Sequence, residues 1–172
     1  MPKILPIRDL RNTSEISEMA HKMQEPIFIT KNGYSDLVVM SSELYERFAQ
    51  IKENEQRAEE FMCDDAEIFV VAFGASSRVS RSAVMQARAE GIKAGLIRPI
   101  TLWPFPDKTI EKNVDKAKKF LCVEMNMGQM VDDVKLVVNG RKDVEFFGRT
   151  GGIIPTPAEV LGEIRKLAGK EN

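Results

Sequence analysis

Apolar residues in this chain fall into two alternating patterns, short unbroken runs and longer stretches at helical spacing. The runs EIFVVAF (67–73), AGLIR (94–98), KFLCVE (119–124) and VEFF (144–147) predict strands. The first is of the kind buried on both faces of a sheet. Between them, Val79, Ala83, Val84 and Ala87 predict a helix over 77–90 that stops at Gly91. Asp107 starts another through Lys116, and Met130, Val134 and Val137 mark a third over 129–138, ended by Asn139-Gly140. Pro155-Thr156-Pro157 leads into a last amphipathic helix with Val160, Leu161, Ile164 and Leu167 inside. Strands alternating with helices predict an α/β domain: three layers, a parallel sheet and right-handed crossovers.

The first fifty residues follow another order. Lys3 to Arg8 reads as a strand, and Asn12-Thr13-Ser14 with Glu15 predicts a capped helix carrying Ile16, Met19, Ala20 and Met23. Pro26 ends it. Residues 26–30 and 36–40 read as strands joined at Lys31-Asn32-Gly33, where Asn-Gly suits a hairpin turn. Ser41 or Ser42 then caps a helix extending as far as Met62, its polar middle acting as a rigid spacer. The boundary between the two parts is expected near Gln50, giving domains 1–50 and 51–172.

Where the strand over 94–98 ends, the chain enters Arg98-Pro99-Ile100-Thr101-Leu102-Trp103-Pro104-Phe105-Pro106. Proline lacks a backbone donor and restricts the residue before it, so a central strand cannot run through this segment. The chain leaves the sheet there in a stiff loop. Trp103 and Phe105 in it either anchor an interface or cap the core. The Gly74-Ala75-Ser76-Ser77 turn has two readings as well, an anion cradle at a helix N-terminus or a close-packed turn with a serine cap.

Composition narrows the function classes. With 43% apolar and 30% charged residues in 172, the chain is of the globular type. Net charge is -1, so any nucleic-acid contact must come from a local patch. No apolar run reaches membrane-spanning length and the N-terminus lacks the apolar centre of a secretory signal, so no membrane contact and a cytoplasmic location are expected. Two cysteines, Cys63 and Cys122, and one histidine, His21, supply neither a metal site nor a nucleophile-and-base set.

The β-α-β-β-α order of 1–50, with its Asn-Gly hairpin and the helix start MSSELYE, resembles the N-terminal domain of Phd/YefM-type antitoxins. That resemblance implies a homodimer formed through this module, and contact with operator DNA. Arg11 in RDLRN and Lys31 in ITKNG match the family's basic positions, with Arg8 and Asn32 beside them. Basic side chains at phosphates gain affinity by counterion release. Read from the residues alone, Arg8, Arg11 and Lys31 are solvated surface charges before they are DNA contacts, and it is the resemblance that puts the two readings level. The acidic toxin-binding tail of those antitoxins is replaced here by the α/β part.

VVAFGASSRVSRSAV, EGIKAGLIRPITLWPFP, VEMNMGQMVDDV and FFGRTGG, in this order, resemble 2-oxoacid:ferredoxin oxidoreductases. The likeness is to the C-terminal domain of the alpha subunit, of the 2-oxoisovalerate type, and covers about Ile51 to Leu167. It implies a fold similar to the C-terminal domain of transketolase. The parent complexes use thiamine diphosphate, magnesium, CoA and iron–sulfur clusters. None of these is expected to be bound by this chain alone, because cluster ligation needs grouped cysteine thiolates.

The resemblance thus implies a noncatalytic assembly domain, inactive without the other subunits of the oxidoreductase, joined to an antitoxin-like module by natural or engineered fusion. No catalytic residue is expected. Interface candidates lie at the carboxyl ends of the strands: Arg98, Trp103 and Phe105; Glu124, Asn126, Gly128 and Gln129; and Arg149, Gly151 and Gly152. For Glu124 a helix-capping role is the other reading, and Gly151-Gly152 also permit a tight backbone path. The alternative function is a dimeric operator-binding repressor carrying a passenger α/β domain.

Overall fold

The computed structural model describes residues 3–170, and the chain divides into two compact units, 1–54 and 55–172. In the first, β1 (Lys3–Pro6) pairs parallel with β2 (Ile27–Lys31), which pairs antiparallel with β3 (Tyr34–Val39). The strand expected through Arg8 stops at Pro6, and Ile7–Arg11 forms a 3-10 turn instead. This turn delivers Asn12 to the start of α1 (Thr13–Met23), where its side chain accepts from the Glu15 N–H at 3.5 Å. The Asn12 amide donates to the Glu15 carboxylate at 2.6 Å. Asn32 and Gly33 take positive φ of 52° and 83°, as a hairpin with the right twist demands. Ser41 Oγ accepts from the Leu44 N–H at 3.3 Å and caps α2 (Ser42–Asn54). Ile16, Ala20, Ile27 and Ile29 form the buried centre.

The helix expected through Met62 ends at Asn54, and Ala58–Phe61 is a strand, β4. Its residues alternate: Ala58 packs into the core on one face and Phe61 on the other. Glu59 pairs with Arg98 and the Glu60 carboxylate with Asn113, so both charged residues are satisfied in the extended state. β4 also covers a backbone edge that would otherwise stay open.

The second unit is built on a five-stranded sheet, order β4-β6-β5-β7-β8. Its remaining strands are β5 (Ile68–Ala72), β6 (Ala94–Pro99), β7 (Lys119–Glu124) and β8 (Asp143–Gly148). β4 runs antiparallel to β6; all other pairs are parallel. The helices α3 (Gly74–Ala89) and α6 (Pro157–Leu167) cover one face, and α4 (Asp107–Val114) and α5 (Met130–Val138) the other.

Alternation along β5 explains the two cores. Phe69 and Val71 join Ile110, Val114 and Val134 on the α4–α5 face, with the Phe69 and Phe120 rings stacked at 5.6 Å. Ile68, Val70 and Ala72 join Val84, Ala87, Val160 and Ile164 on the α3–α6 face. Each fully buried Val, Leu, Ile or Phe side chain contributes roughly 1.5–3 kcal/mol. Thr156 and Glu159 form a reciprocal cap at the start of α6. No helix among the described residues is long and apolar enough to cross a membrane.

Candidate interface at the carboxyl edge of the sheet

The strand order places a topological switch between β5 and β7. The chain leaves β5 for α3 on one face, while after β7 it goes to α5 on the other. In open α/β sheets the crevice beyond such a point is where ligands and partners are met. The loops after β5, β6, β7 and β8 therefore define the candidate site.

Beyond β7, Glu124 is completely buried, and its carboxylate accepts from the N–H groups of Gln129 at 3.2 Å, Met130 at 2.9 Å and Val131 at 3.0 Å. These are donors at the N-terminus of α5 that lack intrahelical partners. Of its two readings, the geometry is that of the helix cap. The intervening loop is held by Asn126, whose Oδ1 accepts from the Gly128 N–H at 2.7 Å. Gly128 has φ +95°, and a Cβ there would meet Val131 Cγ1 at 3.1 Å. Gln129 and Met127 face solvent, Met127 with 82% of its surface exposed.

Beyond β8, the Arg149 N–H donates to the Glu124 carbonyl at 3.1 Å, tying the two loops together. The Arg149 guanidinium pairs with Glu159 on α6 and lies 6.0 Å over the Phe147 ring. Gly151 and Gly152, at φ +75° and +77°, then turn the chain so that Ile153 and Ile154 stand exposed before buried Pro155.

Beyond β6, Arg98 pairs with Glu59 at 2.9 Å. Pro104 and Pro106 are buried and Phe105 packs on the α4–α5 core, while Trp103 keeps 64% of its surface in solvent. The two aromatics thus divide the roles left open by the sequence: Phe105 caps the core and Trp103 points outward. Ile100 and Leu102 are exposed beside it. The carboxyl edge is accordingly an apolar rim of Ile100, Leu102, Trp103, Met127, Ile153 and Ile154. Of these, sequence reasoning singled out Trp103 alone. The signal it missed was the pair Ile153-Ile154, apolar residues flanked by Gly152 and Pro155 and belonging to no periodic pattern.

The turn after β5 is the first turn of α3, which starts at Gly74 and not Ser77. The Ser77 hydroxyl donates to the Gly74 carbonyl at 2.7 Å, so it serves the helix itself. Both cysteines are buried; burial pushes the Cys63 thiol up to about 11 and the Cys122 thiol higher still. Among the described residues no three His, Cys, Asp or Glu side chains converge as metal ligands. Arg8, Arg11, Lys31 and Asn32, all exposed, belong to the first unit and not to this edge.

An open α/β sheet with an antiparallel edge strand and a built-up carboxyl rim defines the class of protein. Within that class, residues 66–160 match the family model for the pyruvate:ferredoxin oxidoreductase core domain II, and the chain belongs to this family. It is 48% identical over 136 residues to the ketoisovalerate oxidoreductase subunit VorB of Methanothermobacter thermautotrophicus, an alignment covering 79% of this chain and 38% of that one. The chain therefore spans well under half the length of that relative. By fold it resembles the 2-oxoglutarate:ferredoxin oxidoreductase from Magnetococcus marinus with 2-oxoglutarate, coenzyme A and succinyl-CoA bound (TM-score 0.58, 17% identity, 80% of this chain and 25% of that one). It also resembles a split gene transketolase solved as an inactive beta4 tetramer (TM-score 0.58, 16% identity, 100% and 59% coverage). Residues 66–160 thus form a pyruvate:ferredoxin oxidoreductase core domain II, with a fold similar to that of transketolase.

Proposed function

We propose that the second unit is a noncatalytic assembly domain of an alpha subunit of the 2-oxoisovalerate type. Its carboxyl rim docks against the remainder of the oxidoreductase. The observation that carries this is the row of exposed apolar residues on that edge, Trp103, Met127 and Ile153 foremost, held on loops fixed by buried prolines and by Glu124. Large solvent-exposed apolar patches mark interaction surfaces. Kinship with a ketoisovalerate oxidoreductase subunit supports the choice of partner. Thiamine diphosphate, magnesium, CoA and the clusters would then reside on the other parts of the complex, and this chain would contribute placement.

The test is capture of the purified chain by the rest of a VorB-type alpha subunit with its thiamine-diphosphate-binding subunit. Wild-type chain binds, and Trp103→Ser with Ile153→Ser weakens binding at least about tenfold, the loss expected of a buried aromatic anchor. Turnover of a 2-oxoacid by the chain alone would contradict the proposal.

A second reading concerns the first unit, and one observation favours it. The parallel register Pro6↔Thr30 brings the turn holding Arg8 and Arg11 to the same end of the small sheet as Lys31 and Asn32. The antitoxin-like reading uses this basic end for DNA and the exposed Tyr34, Leu37 and Val38 of edge strand β3 for a homodimer. Fluorescence anisotropy on labelled duplexes tests it. Selective, salt-sensitive binding lost in Arg11→Ala with Lys31→Ala supports the reading, and binding indifferent to both substitutions removes it.

A further inference from the structure

We propose that the groove between α3 and the β4–β6 edge binds the phosphate group of a small phosphate ester or diphosphate. The groove has a volume of about 350 Å³ and is lined by Phe61 and Leu96 as its apolar floor, with Ser77, Arg78, Arg81 and Arg98 around it. That size is at the lower end of small-ligand sites, and an apolar floor with a few convergent polar groups is their usual make-up.

Its charge is what selects the ligand. Arg98 is neutralised by Glu59 at 2.9 Å. Glu60 also borders the groove, but its carboxylate is engaged by Lys112 and, at 2.8 Å, by Asn113, both on α4 across the sheet. Arg78 and Arg81 have no ion-pair or hydrogen-bond partner among the described residues. Two positive charges are therefore left uncompensated in one concave site. A 2-oxoacid, with a single carboxylate, would balance half of this; a phosphate monoester or diphosphate, near -2 or beyond at neutral pH, balances it fully.

The planar guanidinium groups are also arranged to meet a tetrahedral oxyanion with two N–H donors each. The Arg81 guanidinium lies 3.9 Å over the Phe61 ring, which holds the group by its face and leaves its N–H edges open. Guanidinium edges match phosphate oxygens two at a time, where an ammonium would act only as a point charge. Arg78, one turn earlier on the same helix, supplies the second fork from the groove wall.

Titration calorimetry of the full chain with inorganic pyrophosphate at low salt tests the site. One-site saturable binding is expected, weakened about tenfold by Arg78→Gln and again by Arg81→Gln, the loss of charge-assisted hydrogen bonds. Lys135→Gln, on α5, leaves it unchanged. Arg78 is exposed and unpaired, so its variant should melt with the wild type, and a fold defect cannot mimic the result. In a parallel NMR titration, the Nε–H signals of Arg78 and Arg81 shift. Three outcomes overturn the proposal: no saturation at millimolar pyrophosphate, affinity that survives both substitutions, or binding of a hexaglutamate peptide in place of pyrophosphate. Rim docking at Trp103 and Ile153 is read separately and does not depend on this result.

Discussion

The Glu124 carboxylate, at the end of β7, accepts the N–H of Met130 at 2.9 Å and so caps a helix that begins six residues further on. It also takes the N–H groups of Gln129 and Val131. One buried side chain thereby fixes the loop carrying Met127 and the first turn of α5. Glu124→Ala would leave several buried donors without an acceptor. We expect a loss of about 2–3 kcal/mol in urea unfolding, with Glu124→Gln recovering part of it.

Gly95 lies in β6 where a Cβ would meet the Met62 carbonyl at 2.8 Å and Ala66 Cβ at 2.9 Å. Neither neighbour is the free end of a flexible side chain. Gly95→Ala should therefore cost about 1–3 kcal/mol, as overpacking in a filled core does. Thermal denaturation of the variant checks this; an unchanged melting temperature would mean that β6 and the loop after β4 are not packed as described.

Burial, ahead of any neighbouring charge, raises the Cys63 thiol to about 11 and pushes Cys122 in the same direction. The thiolate is the reactive form. At pH 7.5 a disulfide reagent such as DTNB should label neither cysteine over minutes in the native chain. Both should react at once in denaturant. Rapid native labelling would place one of them at the surface.

Several surface carboxylates are held below their ordinary value of 4.5: Glu67 by hydrogen bonding to Lys118, Glu90 by Arg165, Glu111 by Arg141 and Glu159 by the Thr156 N–H. A depressed folded-state pKa stabilises above the unfolded value, and that stability is lost as pH falls through the folded value. The melting temperature should be flat from pH 7 to about 5 and decline below 4.5, modestly because these groups are solvent-screened. Added salt should shrink the decline.

Much of this fold was legible in the sequence because local pattern and burial agree. All five residues of β5 are buried, and they stand in one apolar run. Asn32-Gly33 announced its own turn. β4 was hidden because its four residues include two glutamates, and what makes them strand-like, pairing with Arg98 and Asn113, lies 39 and 53 positions away. The same holds for the Arg81–Phe61 stack, created only by the pairing of β4 with β6. Glu124 read equally as an interface residue or a cap, since capping from the preceding strand is invisible to rules based on the residue next to a helix. The proline-rich loop was legible as a stiff exit from the sheet; which of its aromatics turned inward was not.

The proposed docking of the carboxyl rim can be followed at one atom. Trp103 is the only tryptophan and 64% of its surface is exposed. Replacing it biosynthetically with 5-fluorotryptophan gives the chain a single ¹⁹F resonance. On adding the remainder of a VorB-type alpha subunit with its thiamine-diphosphate-binding subunit, the account predicts that this resonance broadens and shifts saturably and loses its solvent isotope effect. A resonance that stays sharp, unshifted and solvent-exposed while the proteins co-elute would contradict docking through this rim.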